Sequence, residues 1–228
     1  MTSRTATAPA KPLRRDAATN RERILEAASQ VFVAHGLDAG VDEIARKAGV
    51  GVGTLYRRFA TKQALIDELV GTIRLELLAL AREAATHDDG TGLERLLRGV
   101  GTVQARHSGF LGRVWNHSDA ELGALTEFRR LLRSLLRQAQ EQHLVRPDVT
   151  ATDMSLVMWS TAGIIETTQD AAPEAWRRHL ELLLAGMRPG GTDTAPPLAE
   201  RPLTEAQVRR VGTAATDQSA VKKATPRT

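Results

Sequence analysis

Two short helical patterns joined by three residues constrain this chain more than any other feature of its sequence. The first pattern, at about residues 41–48, carries apolar residues at relative positions 0, 3, 4 and 7, the spacing of one face of an α-helix. The second, at about residues 52–59, repeats that spacing. The connection opens with Gly49, and glycine accepts the left-handed backbone conformation that a sharp turn requires. This arrangement predicts a helix-turn-helix.

The two faces of the second helix differ in character. We predict an inward apolar stripe of Val52, Leu55, Tyr56 and Phe59, with Val50 filling the angle between the helices. The outward face then holds Gly53, Thr54, Arg57 and Arg58. Small residues near the start of the helix would let its backbone approach the floor of a DNA major groove, and the arginines would lie beside phosphates.

The distribution of charge agrees with a polyanionic partner. Residues 1–64 contain 11 Lys and Arg against 6 acidic residues, whereas the remainder contains 20 against 21. A basic N-terminal quarter on a nearly neutral body is typical of nucleic-acid binding. An ordinary solvated tail would give the same asymmetry, so charge alone leaves both interpretations open.

Outside its two ends, the chain reads as helix throughout, and we predict an all-α fold of about nine helices. Gly36 should end a first helix over about 20–35, Thr61 should cap a long fourth helix, and the last should start at Pro173. The predicted organisation is a disordered basic arm, a helix-turn-helix domain, a helical ligand-binding and dimerisation domain, and a disordered tail, over residues 1–18, 19–65, 66–188 and 189–228. Within that tail, LTEAQVRR can form a short helix that nothing obliges to pack.

Several classes of protein are disfavoured. The chain has no cysteine, which excludes disulfides and thiolate chemistry, and no apolar run long enough to span a membrane. His107, His117 and Asp119 match no metal-binding spacing, and no nucleophile, phosphate-binding or dinucleotide motif occurs. We therefore predict no enzymatic activity, no cofactor, no metal and no membrane partner, and a cytoplasmic location.

Residues Arg23 to Leu69 resemble the tetracycline-repressor (TetR) family of bacterial transcription regulators. The matching words are ILEAASQVFVAHG, VDEIARKAGVGVGTLYRRF and TKQALIDEL. The resemblance implies a three-helix DNA-binding head on a larger C-terminal helical body that binds a ligand and dimerises. It also implies that ligand binding tilts the fourth helix and so moves the two heads of a dimer apart.

The resemblance assigns individual roles at the DNA. Val52, Gly53 and Thr54 would lie near base edges, and Tyr56 would give its hydroxyl to a phosphate, although its spacing also fits a core aromatic. The full predicted DNA-binding set is Arg46, Val52, Gly53, Thr54, Tyr56, Arg57, Arg58 and Lys62. The chain departs from the family at Gly40 and Gly51, where Thr or Ser is usual, so a hydroxyl contact to phosphate is lost at each point.

Candidates for the ligand site and the dimer surface lie in the C-terminal half. We predict an adaptable, mainly apolar ligand site formed by Phe110, Val114, Trp115, His117, Phe128, Met154, Met158, Trp159 and Glu166. The predicted dimer surface uses Leu156, Gly163, Leu180, Leu183 and Leu184. In each case burial inside a single chain is the alternative.

The sequence thus predicts a homodimeric, sequence-specific regulator of transcription that binds a double-stranded DNA operator. We expect it to be a repressor that an unknown small-molecule effector releases from that operator. The alternatives are an architectural or ligand-independent DNA-binding protein, which would show little sequence preference, and a helical binding module without DNA affinity.

Overall fold

The computed structural model is all-helical, as predicted. It describes residues 12–108, 114, 122–190 and 198–211, and no strand occurs among them. The helices are α1 (Pro12–His35), α2 (Val41–Ala48), α3 (Val52–Arg58), α4 (Lys62–Ala84), α5 (Gly92–Arg106), α6 (Leu122–Glu141), α7 (Asp153–Thr168), α8 (Ala175–Met187) and a short α9 over residues 205–211. None of these described helices combines the length and apolarity needed to cross a bilayer.

The chain divides into two compact units between Leu69 and Val70. The N-terminal unit comprises α1, α2, α3 and the first part of α4, and it ends four residues beyond the predicted boundary at residue 65. The C-terminal unit contains the remaining helices. Helix α4 therefore contributes residues to both units.

The core of the N-terminal unit follows the predicted stripes. Ile24 and Phe32 of α1, Ile44 of α2 and Leu55 of α3 are fully buried. Gly36 ends α1 with a positive φ of 73°, and its N–H donates to the carbonyl oxygen of Phe32 at 2.9 Å. This αL termination confirms the predicted C-terminal glycine of the first helix.

The turn between α2 and α3 has the predicted geometry. Gly49 adopts φ 65° and ψ 37°, and its N–H is directed to the carbonyl oxygens of Ala45 and Arg46. The N–H of Val50 also donates to the carbonyl oxygen of Ala45, at 3.0 Å. The last carbonyls of α2 are thereby satisfied while the chain reverses direction into α3. The helix-turn-helix is confirmed.

Two helix starts differ from the prediction. Helix α1 begins at Pro12, so residues 12–18, which we expected in a disordered arm, are helical. Proline suits the first helical position, and the Ala and Arg that follow are good helix formers. The rest of that arm lies outside the described residues. Helix α8 begins at Ala175, so Pro173 lies in the preceding turn instead of at the first helical position.

The C-terminal unit is built around a tightly packed tryptophan. The ring of Trp176 in α8 is almost fully buried, together with Leu96 of α5 and Leu135 of α6. A Cβ atom at Gly101 would lie 2.3 Å from Cζ3 of that ring. Glycine at position 101 therefore permits a close approach between α5 and α8 that a side chain would obstruct.

The segment 198–211 differs from the predicted disordered tail. The N–H of Leu198 donates to Oδ2 of Asp148 at 2.9 Å. Hydrogen bonds from Arg146 and from Leu198 lower the pKa of Asp148 to about 2. Thr204 and Gln207 form a reciprocal capping box at the start of α9, with bonds of 2.8 Å and 3.2 Å. The segment thus has its own local structure and a defined anchor on the body.

The left-handed backbone conformation of Gly49 should contribute to the stability of the N-terminal unit. We expect Gly49→Ala to lower the free energy of unfolding by about 1–2 kcal/mol, because a side chain is disfavoured at positive φ. The new Cβ would also lie 2.7 Å from Nη2 of Arg23, which would have to move. Urea unfolding followed by circular dichroism measures the change.

The matched control is Gly53→Ala in α3, where an added Cβ meets nothing within 4 Å. That variant should keep the original stability or gain up to about 1 kcal/mol from helix propensity. Equal destabilisation by both substitutions would show that the backbone conformation at Gly49 is not what matters.

Candidate nucleic-acid interface

Helix α3 divides into a buried face and an exposed face. Leu55 and, just after the helix, Phe59 are buried in the N-terminal unit. Gly53, Arg57 and Arg58 are exposed, and Val52 and Thr54 are half-buried. The structure therefore brings the predicted base-reading and phosphate-binding residues of α3 together outside the core.

Tyr56 does not belong to the inward stripe, so that prediction was wrong. Its side chain is 46% exposed. At 3.6 residues per turn, position 56 lies roughly 80° around the helix from the mean direction of Leu55 and Phe59, whereas Val52 lies only about 40° away. Tyr56 is thus accessible on the exposed side of α3, which argues against the core role, and its phosphate contact stays a prediction.

Two of the predicted contact residues hold each other in place. Nη2 of Arg57 donates a hydrogen bond to Oγ1 of Thr54 at 2.9 Å, one turn earlier on the same helix. The bond directs the guanidinium along the exposed face of α3, where a phosphate can accept from its other N–H groups.

Helix α2 adds basic residues beside the turn. Arg46, which was predicted, and Lys47, which was missed, are both exposed in the last turn of α2. Asp42 and Glu43 occupy its first turn, so both ends carry the charge that the helix dipole favours. The adjacency of Lys47 to Arg46 and to the turn was the sequence signal available for it.

Glycine occupies the N-cap position of both α2 and α3, where the resembled family usually has a hydroxyl side chain. Gly40 and Gly51 are the N-cap residues, with extended backbones and no side-chain cap. At both positions the first N–H groups of the helix therefore lack the hydroxyl partner that Ser or Thr would supply. By contrast, Thr61 caps α4 as predicted, accepting a bond from the N–H of Ala64 at 3.0 Å.

Lys62 has a contact within the protein that competes with its predicted role. Its side chain is half-buried, and Nζ lies 5.9 Å from the centroid of the Phe32 ring. This is cation–π distance, so the ammonium group is held near α1. A phosphate contact by Lys62 stays a prediction.

The predicted ligand residues are distributed unevenly over the C-terminal unit. Val114, Phe128, Met154 and Met158 are buried, and Trp159 is half-buried. The residues Phe110, Trp115 and His117 lie outside the described part of the chain.

Glu166 stands apart from the buried candidates, because its side chain is largely exposed. Partial desolvation nevertheless raises the pKa of its carboxyl group. The exposure fits a surface position better than an interior ligand contact.

The interior also contains polar side chains that the sequence analysis missed. Arg74 of α4 is buried, and its Nε donates to the carbonyl oxygen of Val114 at 2.9 Å. Gln104 of α5 is buried too, and its Nε2 donates to the carbonyl oxygen of Met158 in α7 at 3.1 Å. Oε1 of Gln104 has no hydrogen-bond partner within the described residues. A buried acceptor of this kind favours a donor group in its surroundings.

His107 and Ser108 continue this polar region at the end of α5. Both are buried, and Oγ of Ser108 donates to Oε1 of Gln169 at 3.2 Å. Burial lowers the pKa of His107, the positive charge of Arg106 lowers it further, and Glu76 opposes them. Buried polar side chains thus occur in the C-terminal interior beside the apolar residues predicted for the ligand site.

Three predicted ligand residues share a cavity. Phe128, Met158 and Trp159 line a space of about 90 Å³. The other residues around it come from α6, the start of α7 and α9: Arg129, Leu132, Arg133, Ala151, Thr152, Ser155, Glu205, Val208 and Arg209. Val114, Met154 and Glu166 are not part of this lining.

The predicted dimer residues separate into core and surface. Leu180 and Leu184 are buried in the C-terminal unit and belong to its core, contrary to the prediction. Leu156 is 45% exposed, Gly163 is exposed and Leu183 is half-buried. Leu182, which is not among the predicted dimer residues, is 60% exposed on α8.

Metal ligands are not clustered in the described part of the chain. Across residues 12–108, 114, 122–190 and 198–211, no group of three or more His, Cys, Asp or Glu side chains is placed to hold a metal ion.

Sequence comparisons divide the chain at the same place as the structure does. Residues 24–69 match the family described as "Bacterial regulatory proteins, tetR family", and residues 93–189 match "Transcriptional regulator SbtR-like, C-terminal domain". Two similar proteins from Pseudomonas putida are the uncharacterized HTH-type transcriptional regulator TtgW and the HTH-type transcriptional regulator SrpR. Each is 43% identical over 58 residues, which is 25% of this chain. The match spans 43% of TtgW and 27% of SrpR.

Solved structures extend the similarity over most of the chain. A TetR transcription regulatory protein from Mycobacterium vanbaalenii is 32% identical with a TM-score of 0.56, covering 78% of this chain and 100% of its own. The TetR regulator SCO0520 from Streptomyces coelicolor is 30% identical with a TM-score of 0.56, covering 75% and 99%. With its exposed α3 and its all-helical C-terminal unit, the chain belongs to the TetR family of bacterial DNA-binding transcriptional regulators, which are not enzymes.

Proposed function

We propose that the protein is a sequence-specific transcriptional repressor that binds its operator as a homodimer and leaves it when a small molecule binds the C-terminal unit. The observation that carries the proposal is the exposed face of α3, where Thr54, Tyr56 and Arg57 stand outside the core. These side chains suit base and phosphate contacts in a major groove.

Two glycines at the start of α3 favour a close approach of this helix to DNA. Gly51 places no side chain at the start of the helix, and Gly53 exposes backbone two residues later. Phosphate oxygens can accept hydrogen bonds from uncapped N–H groups at a helix start. Arg46 and Lys47 at the end of α2 supply further positive charge next to the turn.

Dimerisation is supported by large apolar side chains that the chain leaves in solvent. Leu156 of α7 and Leu182 of α8 are both about half exposed or more, and α7 and α8 pack against each other. Gly163 lies on the exposed side of α7 and permits a partner helix to approach closely. A second copy of the chain covering this face would bring two reading heads to one operator.

Ligand response is supported by the polar interior of the C-terminal unit. Arg74, Gln104 and His107 are buried polar groups, which are expensive to maintain unless they have hydrogen-bond partners. A ligand that prefers one conformation of this interior would shift the equilibrium between conformations. Helix α4 supplies residues to both units. We therefore propose that a conformational change in the C-terminal unit reaches the helix-turn-helix of α2 and α3 through α4.

Fluorescence anisotropy with DNA from immediately upstream of the gene tests sequence-specific binding. We expect tight binding to this fragment and much weaker binding to a shuffled one at every salt concentration. A plot of the logarithm of the binding constant against the logarithm of the salt concentration has a negative slope. Arg57→Ala should make this slope shallower by about 1, because one phosphate contact is lost. Thr54→Ala should instead reduce the preference for the native fragment over the shuffled one.

The control is Arg137→Ala, which removes the same charge from an exposed position on α6. Affinity and salt slope should stay at the wild-type values. Equal affinity of the wild type for both fragments, together with a steep salt slope, would favour the architectural alternative. Equal effects of Arg57→Ala and Arg137→Ala would contradict the assignment of α3.

Sedimentation velocity tests the proposed dimer. Leu182→Arg places a charge at the exposed leucine of α8, so we expect this variant to sediment as a monomer while the wild type sediments as a dimer. Leu75→Arg makes the same change at an exposed leucine of α4 and should remain dimeric. A monomeric wild type, or a dimeric Leu182→Arg variant, would disprove this surface.

A further inference from the structure

The cavity beside α7 is closed on one side by the C-terminal segment. Phe128 and Leu132 of α6 form one apolar wall, and Met158 and Trp159 of α7 form the next. Val208 of α9 lines the same space. One wall of the cavity thus comes from α9, which follows α8 in the chain.

Two contacts link residues 198–211 to the C-terminal unit. Leu198 donates its N–H to Asp148, whose carboxylate is also held by Arg146 through bonds of 2.8 Å and 2.6 Å. At the start of α9, Oε1 of the exposed Glu205 lies 3.6 Å from Nη1 of Arg133 on α6. These contacts place residues 198–211 beside the C-terminal unit, and Glu205, Val208 and Arg209 line the cavity.

The polar side of the cavity is predominantly cationic. Its described lining contains three guanidinium groups, those of Arg129, Arg133 and Arg209, and one carboxylate, that of Glu205. Glu205 lies between two of them, because its Oε2 is 3.7 Å from Nη1 of Arg209. Burial lowers the pKa of Arg129, and so does the positive charge of Arg209, while Glu205 opposes both. Arg129 is half-buried, whereas Arg133, Arg209 and Glu205 are exposed at the rim of the cavity.

We propose that this cavity binds a small carboxylate with a compact apolar body, and that residues 198–211 form one wall of the binding site. The carboxylate adds a second negative charge among three guanidinium groups, which bind carboxylates with paired N–H donors. The apolar body lies against Phe128, Met158 and Trp159. The inference names the ligand class of the proposed regulator and so rests on that function, but binding to the cavity does not require DNA.

The volume of the cavity indicates a suitable size for a probe molecule. Its 90 Å³ is below the roughly 150 Å³ of an engineered protein cavity that accommodates benzene. A chain of three or four carbons carrying the carboxylate at one end is therefore the matching probe. Because the segment forms part of the site, ligand binding and docking of the segment stabilise each other.

Titration with sodium butanoate at constant ionic strength, followed by tryptophan fluorescence, tests the proposal. We expect a saturable change that disappears in Trp159→Phe. Butan-1-ol, which lacks the charge, and acetate, which lacks most of the apolar body, should each bind at least about tenfold more weakly. Arg129→Gln and the more exposed Arg133→Gln should each weaken butanoate binding by a comparable factor.

Two truncations test the role of the segment. A chain ending at Pro197 should bind butanoate at least about tenfold more weakly than the full chain, whereas a chain ending at Val211 should bind it equally well. Equal binding of butanoate by both truncated chains would show that residues 198–211 do not form a wall of the site. Equal binding of butanoate and butan-1-ol would show that the site does not recognise the carboxylate. A fluorescence change that persists in Trp159→Phe would place the ligand elsewhere. None of these results alters the anisotropy with DNA in the absence of ligand, so failure here is distinguishable from failure of the proposed regulator.

Discussion

The burial of Leu55 in α3 is the interaction on which the DNA-binding surface depends. With Leu55 and Phe59 in the core and Gly49 in the left-handed conformation, α3 has one possible rotation about its own axis. That rotation places Tyr56 and Arg57 outside. A seven-residue helix has little stability of its own, so packing, and not propensity, holds it in place. The reading head is therefore specified by its apolar side chains as much as by its polar ones.

The sequence was most informative at the ends of helices, where a glycine or a capping side chain lies next to a run of regularly spaced apolar residues. The turn at Gly49, the end of α1 at Gly36 and the cap at Thr61 were all predicted, because each depends on local backbone chemistry. The prediction for Tyr56 was wrong because four apolar residues on a short helix do not show how wide the buried face is. The angle measured from the two buried positions, Leu55 and Phe59, places Tyr56 outside the stripe.

The C-terminal unit was less predictable because its features depend on pairing between distant helices. The bond from Gln104 to the carbonyl of Met158 and the distinction between buried Leu184 and exposed Leu182 require knowledge of which helices meet. The short helix near the end was different. Its Thr204 and Gln207 form a capping-box pattern that is visible in the sequence, although its docking against the body is not.

We propose that two copies of α3 contact one operator in the major groove. A hydroxyl-radical footprint of the full-length protein on the DNA upstream of its gene distinguishes this arrangement from others. We expect two protected patches related by a twofold axis, with centres about 34–36 Å apart or a multiple of that distance. Uniform protection along the fragment, or a single patch without a symmetric counterpart, would contradict it.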